Sequence, residues 1–429
     1  MTIQISDTPA ALPLVARTVP LPDPGPLLEL LPARAPLAWV RRGEGLVGWG
    51  EAMRISSSGP DRFTSVERAW SEAIARCVVR DEVRLPGTGP VGFGSFAFSP
   101  DSPAGGVLVV PEVLVGHRCG TWWLTTIGVG GVLPPIREIS PAESAAARVG
   151  SVTFSDGVRT APEWEDVVAK AIARIGAGEV EKVVLARDQQ ARASAPIDPR
   201  VLLTRLAERY PGCWTFSVDG LLGATPEMLV KLERGLVTSR VLAGTIQRSQ
   251  DDEHDLALAA SLARSSKDLE EHEYAVRSVT EALAPYCATT NVPESPFVLH
   301  LANVMHLATD VTGVLADGAT SLHLAAALHP SAAVCGTPTQ AAADLITEVE
   351  GMDRDRYAGP VGWLDAAGDG EWGIALRCAR LDPDDPRALR LFAGCGIVAG
   401  SDPEAELAEA NAKLLPIREA LTDPAPTHP

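Results

Sequence analysis

The chain has 429 residues, 46% of them apolar, a composition that belongs to folded globular proteins and excludes a disordered or fibrous class. Its 55 Asp and Glu outnumber 37 Lys and Arg, and the formal charge of -18 repels polyanions, so nucleic acid is not an expected partner and any anionic ligand must be held by local groups. No uncharged apolar run reaches the roughly 20 residues of a membrane-spanning helix, and no membrane role is expected.

The first residues, MTIQISDTPAALPLVARTVPLPDPGP, lack a cationic segment followed by an apolar run and are interrupted by prolines. They do not read as a signal peptide, and a cytoplasmic location is expected. Residues 1–150 alternate short β-rich runs with Gly and Pro turns, as in EGLVGWGEAMRIS, PVGFGSFAFSP and AGGVLVVPEVLVG, and predict a mostly antiparallel sheet. The link ISPAESAAARVGS leads into PEWEDVVAKAIARIGAGEVEKVVLARD, where helical spacing ends at Gly176 and Gly178 before a buried strand, KVVLAR. Strands such as CWTFSVDGLLGATP and EMLVKLERGLVTSRVLAG then flank an acidic helical stretch, Asp251 to Leu283, and further strands and helices run to Lys413.

This mixture predicts an α+β architecture without repeats or a long linker. Residues 1–150 are expected to form a β-rich part of the same domain as a core at 151–420, with a frayed tail at 421–429. Seven Cys residues are scattered singly with no CxxC pair, which points to buried thiols in a reducing cytosol rather than a disulfide framework or a zinc site.

Two acidic pairs stand out, Asp268 with Glu271 and Glu406 with Glu409. Each is spaced i, i+3 on a predicted helix, so both carboxylates of a pair project from one face. A lone pair of this kind is usually a solvated face, but two converging pairs could hold a hard divalent cation, with Mg2+ favoured by oxygen-only ligands. In GCGIVAGS, Gly394, Gly396 and Gly400 surround a short strand that ends at Ser401, a cap for the acidic helix. The small residues either admit an anion to backbone NH groups or serve tight packing.

Lys182 lies in an apolar strand. Facing inward it would be desolvated, its ammonium pKa lowered, and it could act as a general base; facing outward it is an edge-strand lysine in water. Glu227, in GATPEMLV, follows a turn where a carboxyl is commonly a surface group, and His306 in NVMHLATDV reads first as a satisfied core histidine.

Taken together and in order, KVVLAR, GATPEMLV, VLAGT, KDLEEH, MHLATDV, LHPSAAVCGTP, DRDRYAGPVGW, ALRCARL and AGCGIVAGSDPEAELAEANAKL resemble the motifs of the chorismate-utilising enzymes. The likeness covers residues 150 to 415, and is looser in the N-terminal third, through GFGSFAFSP. It implies that family's fold, large mostly antiparallel sheets in a layered sandwich surrounded by helices. It also implies Glu271 and Glu409 as ligands of Mg2+, with Asp268 and Glu406 beside them, Lys182 as general base and Glu227 as general acid. Tyr357 and Arg377 would hold the enolpyruvyl carboxylate of chorismate, while Thr245, His306, Ala333, Gly394, Gly396 and Lys413 complete the substrate pocket.

Within the family the pattern is most similar to the isochorismate synthases, in which water attacks ring carbon 2 and the 4-hydroxyl departs. Aminating relatives tend to have Gln at the position of Lys182, and the aminodeoxychorismate type a nucleophilic Lys where this chain has Ala243. No glutamine amidotransferase subunit is therefore expected, and the chain is taken as a monomer. A salicylate synthase, which eliminates pyruvate from isochorismate, is the alternative, and an inactive chorismate-binding protein a remote one. Ala333 and Val334 are similar to the Ala-Leu pair of the synthases, whereas Tyr357 stands where some of them have Phe.

Overall fold

Runs of apolar residues with turn residues between them pair, in a computed structural model of the chain, into two large sheets. The structure describes residues 12–140, 149–249, 251–300, 304–316 and 318–422, without the side chains of Thr245, Asp252, Lys267 and Glu271. The tail expected at 421–429 lies outside the described residues from 423 onward. Among the described residues one sheet has thirteen strands and the other ten. Pairing is antiparallel, except where Leu14–Pro20 runs parallel to Val78–Asp81.

The N-terminal strands belong to both sheets. Leu37–Arg41 pairs with Trp214–Val218 in the first sheet, and Val91–Phe96 pairs with Pro360–Asp365 in the second. A core cluster takes side chains from both, including the fully buried Trp39, Phe93, Trp363 and Trp372. A second cluster lies where Ala38, Leu222 and Leu391 of the first sheet meet Leu202 and Leu206 of helix Pro199–Arg209 and Leu414 and Ile417 of helix Pro403–Leu421. This is sheet on sheet with helices outside, the layering that lets each apolar face find a partner.

Several local expectations hold. Helix Ala161–Gly176 starts at a Thr160–Glu163 capping box and is followed by Gly178 at φ +79°, and Lys182–Ala193 is the strand that comes next. Others are corrected. The acidic stretch is two helices, Asp252–Arg264 and Ser266–Leu283, because Ser265 adopts an extended backbone and caps the second by accepting from the Asp268 NH at 3.3 Å. The β-rich N-terminal part contains a helix, Arg62–Ile74, that buries Phe63, Val66 and Trp70. Ser401 does not cap the last helix. Asp402 does, accepting from the Ala405 NH at 3.0 Å, while Ser401 donates to Glu406. The cysteines are all free, but Cys119 is exposed and Cys77 and Cys287 are half-buried.

Candidate active site

The chain crosses between the two sheets at two places that lie side by side. After Leu221–Thr225 in the first sheet, Pro226 and Glu227 carry it to Met228–Glu233 in the second. After Gly370–Ile374 in the second sheet, Ala375 to Arg377 return it to Cys378–Leu381 in the first. The crossings are hydrogen-bonded to each other, Ile374 NH to Glu227 O at 3.2 Å and Ala224 NH to Arg377 O at 3.2 Å. Arg377 turns at φ +47°, a backbone held in the left-handed region where the chain crosses between the sheets. The Tyr357 loop is tied to the same place by bonds between Ala358 NH and Ala375 O and between Ala375 NH and Gly359 O, both 2.9 Å.

A cavity of about 730 Å³ opens here, lined by Lys182, Glu227, His306, Ala333, Tyr357, Arg377, Gly394, Gly396 and Lys413. Every one of these was singled out in the sequence. Lys182 reaches it from the strand that pairs with Ala388–Ile397, Val184 opposite Gly396 and Ala186 opposite Gly394. A Cβ on Gly396 would stand 3.0 Å from Lys182 Cε and one on Gly394 3.0 Å from the Tyr357 hydroxyl, so the two glycines make room for the groups beside them. Lys182 is half-buried, between the inward and outward alternatives.

The cavity wall sets the charge states. Burial pushes the Glu227 carboxyl up to about 7, against the pull of Lys182 and Lys413. Burial, helped by Arg377 and Lys413, takes His306 down to about 4, so it is neutral at physiological pH, with a hydrogen bond to the Gly244 backbone. Gly244 itself, at φ +73°, forms the bulge that offsets Ala243 from Thr245 opposite His306; the Thr245 side chain is outside the described residues. Burial raises the Tyr357 phenol and lowers the Arg377 guanidinium, which makes no ion pair among the described residues. With Glu409 acting on it only from beyond ion-pair distance, this guanidinium is a ready site for a carboxylate. In a second cavity of about 480 Å³, Arg118 pairs with Glu371 at 3.1 Å and Lys231 with Glu233 at 2.6 Å.

Beside the first cavity, one ligand atom each from Cys395, Glu406 and Glu409 lies within 4.8 Å of the others. Burial pushes the Cys395 thiol up to about 12, and its Sγ donates to Glu406 O at 3.2 Å, so it stays protonated and the donor set reduces to two carboxylates. That set fits a hard cation. Burial and the neighbouring Glu409 charge raise Glu406, and Lys413 Nζ contacts Glu409 at 2.7 Å and Gly394 O at 2.9 Å. Asp268 packs near Gly244, 3.1 Å from a Cβ built there, on the His306 side of the cavity. The Glu271 side chain lies outside the described residues, its backbone being on the same helix as Asp268.

A sequence model of the chorismate binding enzyme family matches residues 38–422. The chain belongs to the chorismate-binding enzymes. It is 42% identical over 279 residues to isochorismate synthase DhbC of Bacillus subtilis, covering 62% of this chain and 69% of that one. It is 34% identical over 416 residues to the salicylate biosynthesis isochorismate synthase of Pseudomonas aeruginosa, covering 90% and 84%. The crystal structure of DhbC from Bacillus anthracis superposes with a TM-score of 0.75 at 32% identity, over 92% of this chain and 98% of that one.

For this chorismate-binding enzyme, sequence reasoning missed part of the cavity. Glu270, Tyr274, Arg277 and Glu281 line it from helix Ser266–Leu283, and their i, i+4, i+7, i+11 spacing was a legible one-face signal. Arg354 also lines the cavity, and in the sequence it reads only as one charge in DRDR.

Proposed function

We infer that the chain is an isochorismate synthase, converting chorismate to isochorismate, and that Glu409 and Glu271 would hold Mg2+, with Glu406 and Asp268 beside them. The single observation that carries the reading is Glu227, enclosed at the wall of the cavity with its carboxyl near 7 and within the field of Lys182. An acid and a base on one cavity are what hydroxyl transfer around a ring requires.

Arg377 receives the enolpyruvyl carboxylate in its fork, with the Tyr357 hydroxyl beside it. Lys182 takes a proton from a water whose oxygen bonds to ring carbon 2. The C1=C2 pair shifts to C1–C6, the C5=C6 pair to C4–C5, and the C4–O bond breaks as Glu227 delivers its proton to the leaving hydroxyl. One water enters and one leaves, so the substrate and product are isomers. A Mg2+ ion held by Glu409 and Glu271 would supply positive charge to offset the ring carboxylate. Neutral His306 lines the ring without adding charge.

Incubation with chorismate and Mg2+ tests the reading: isochorismate without pyruvate is expected. Pyruvate release would make the enzyme a salicylate synthase, and binding without turnover would make it an inert binder.

The Glu227 proton sets a pH dependence. The forward reaction needs the protonated carboxyl, so the turnover profile should fall with a limb near pH 7, and that limb should be absent in Glu227→Gln, which is slow at every pH. The stability sign is opposite to that of a salt-bridged carboxylate. The folded pKa of about 7 lies above the ordinary 4.5, so the folded state binds more protons than the unfolded chain, and stability falls as pH rises from about 4.5 towards 7. Glu227→Gln should therefore melt no lower than the parent at pH 8; a lower Tm there would contradict this account of the burial.

Glu409→Gln should weaken Mg2+ affinity by at least the ~10–100-fold known for losing even an outer-shell partner. The fold should survive, because the Glu409–Lys413 pair is half-exposed and such pairs contribute about 0–1 kcal/mol. Magnesium titration of activity checks this, and unchanged affinity would remove Glu409 from the metal site.

A further inference from the structure

Strand Lys182–Ala193 has a continuous neighbour on only one edge. That edge pairs with Ala388–Ile397 from Val183 to Arg192. The other edge pairs with Gly336–Thr337 at Lys182 and Val183, and again with Val152–Asp156 from Gln189 onward. Between these two stretches no strand accompanies it among the described residues, although buried backbone groups need partners. Val184 NH donates to Cys335 O at 2.8 Å, and the Ala186 carbonyl accepts from Trp164 Nε1 at 2.9 Å.

The Val184 carbonyl and the Ala186 NH are served by one buried ion pair. Arg354 Nη2 donates to Val184 O at 2.6 Å, and Ala186 NH donates to Glu350 Oε1 at 2.6 Å. Arg354 and Glu350 are 3% and 2% exposed, and Arg354 Nε donates to Glu350 Oε2 at 2.9 Å. Arg354 Nη1 also donates to Val334 O at 2.9 Å, and the guanidinium lies against the Phe98 ring at 4.2 Å. One side chain thus binds the Lys182 strand and the Ala333–Val334 wall, and itself lines the cavity.

We propose that Arg354 and Glu350 are positioning residues for the reaction: they stand in for the missing strand beside Val184 and Ala186, and so hold Lys182 at its working distance from Glu227. The proposal rests on the reading of Lys182 as the base. A buried ion pair is a poor stabiliser compared with apolar packing, so its use here is better explained by the geometry it fixes. A lysine at 354 keeps the charge but not the planar fork that reaches Glu350, Val184 and Val334 together. A small shift of the strand would then move the ammonium, and misplacement by about 1 Å can cost ~100-fold in rate.

The test is a double-mutant cycle of Arg354→Lys with Lys182→Ala, read as turnover on folded protein together with the pH profile. If Arg354 acts through Lys182, Arg354→Lys should lower kcat about 10-fold or more in the parent but less than about 2-fold in Lys182→Ala. The Glu227 limb should also move to higher pH, because a displaced Lys182 no longer favours the carboxylate; loss of folded fraction alone would not move it. Equal factors in both backgrounds with an unmoved limb would overturn the proposal and leave the base assignment standing. Full activity of Lys182→Ala alone would overturn both. If Arg354→Lys does not fold, Glu350→Gln, which keeps the size and an acceptor for the Ala186 NH, goes through the same cycle with the same criteria.

Discussion

Lys182→Ala should lower kcat by about 10²–10⁴-fold while leaving the KM for chorismate within a few-fold of the parent, the loss typical of removing a positioned proton acceptor. Lys182 reaches the cavity beside Gly396, whereas the proposed substrate anchors, Arg377, Tyr357 and the acidic pairs, sit on other segments and are untouched by the substitution. The effect should therefore fall on the chemical step. A second consequence concerns Glu227: without the Lys182 charge its carboxyl should rise further, so the residual activity should persist to higher pH. Stopped or steady-state kinetics across pH check both statements. An enzyme that kept its turnover without Lys182 would show that the base lies elsewhere.

Arg377→Lys should cost about 10²–10³ in kcat/KM despite conserving charge, in the range of losing one partner of a buried charge pair. The guanidinium is enclosed, has no ion pair among the described residues, and is aimed by a backbone turn at φ +47° between two sheets. A lysine offers a single point donor in place of a two-bond fork, and a carboxylate held by one bond lets the ring swing relative to the attacking water. The loss should appear in both KM and kcat. Kinetics with an unchanged specificity constant would take Arg377 out of the substrate site.

The cavity residues were reached through the ordered motifs rather than through local signals: the i, i+3 acidic pairs, the glycines of GCGIVAGS and the apolar run around Lys182 each left a structural alternative open, and Tyr357, Arg377 and Lys413 came from the resemblance alone. The structure brings Lys182, His306, Tyr357, Arg377 and Lys413 to one cavity. Glu227 was named as the acid only through the resemblance, because its local context reads as a surface carboxyl; its environment comes from the crossing between sheets and from residues some 150 positions later that pair with it. The helix break at Ser265 was missed because the sequence on both sides is helical, and only a capping bond to Asp268 NH decides it. Ser401 and Asp402 are both competent caps; the nearby Glu406 carboxylate takes the serine hydroxyl and leaves the role to the aspartate. Arg354 reads in the sequence only as one charge in DRDR, and it is the gap in the strand beside it that gives it and Glu350 their buried partners.

Delivery of water to ring carbon 2 while a separate hydroxyl leaves carbon 4 can be followed by turnover of chorismate with Mg2+ in H2 18O, sampled early and analysed by mass and position of label. Isochorismate should carry one 18O at the carbon-2 hydroxyl, with no pyruvate and no label in the enolpyruvyl group. Unlabelled isochorismate would mean that the original hydroxyl is transferred within the ring, and labelled or unlabelled pyruvate accumulating with salicylate would mean that the cavity catalyses elimination; either result would contradict the account.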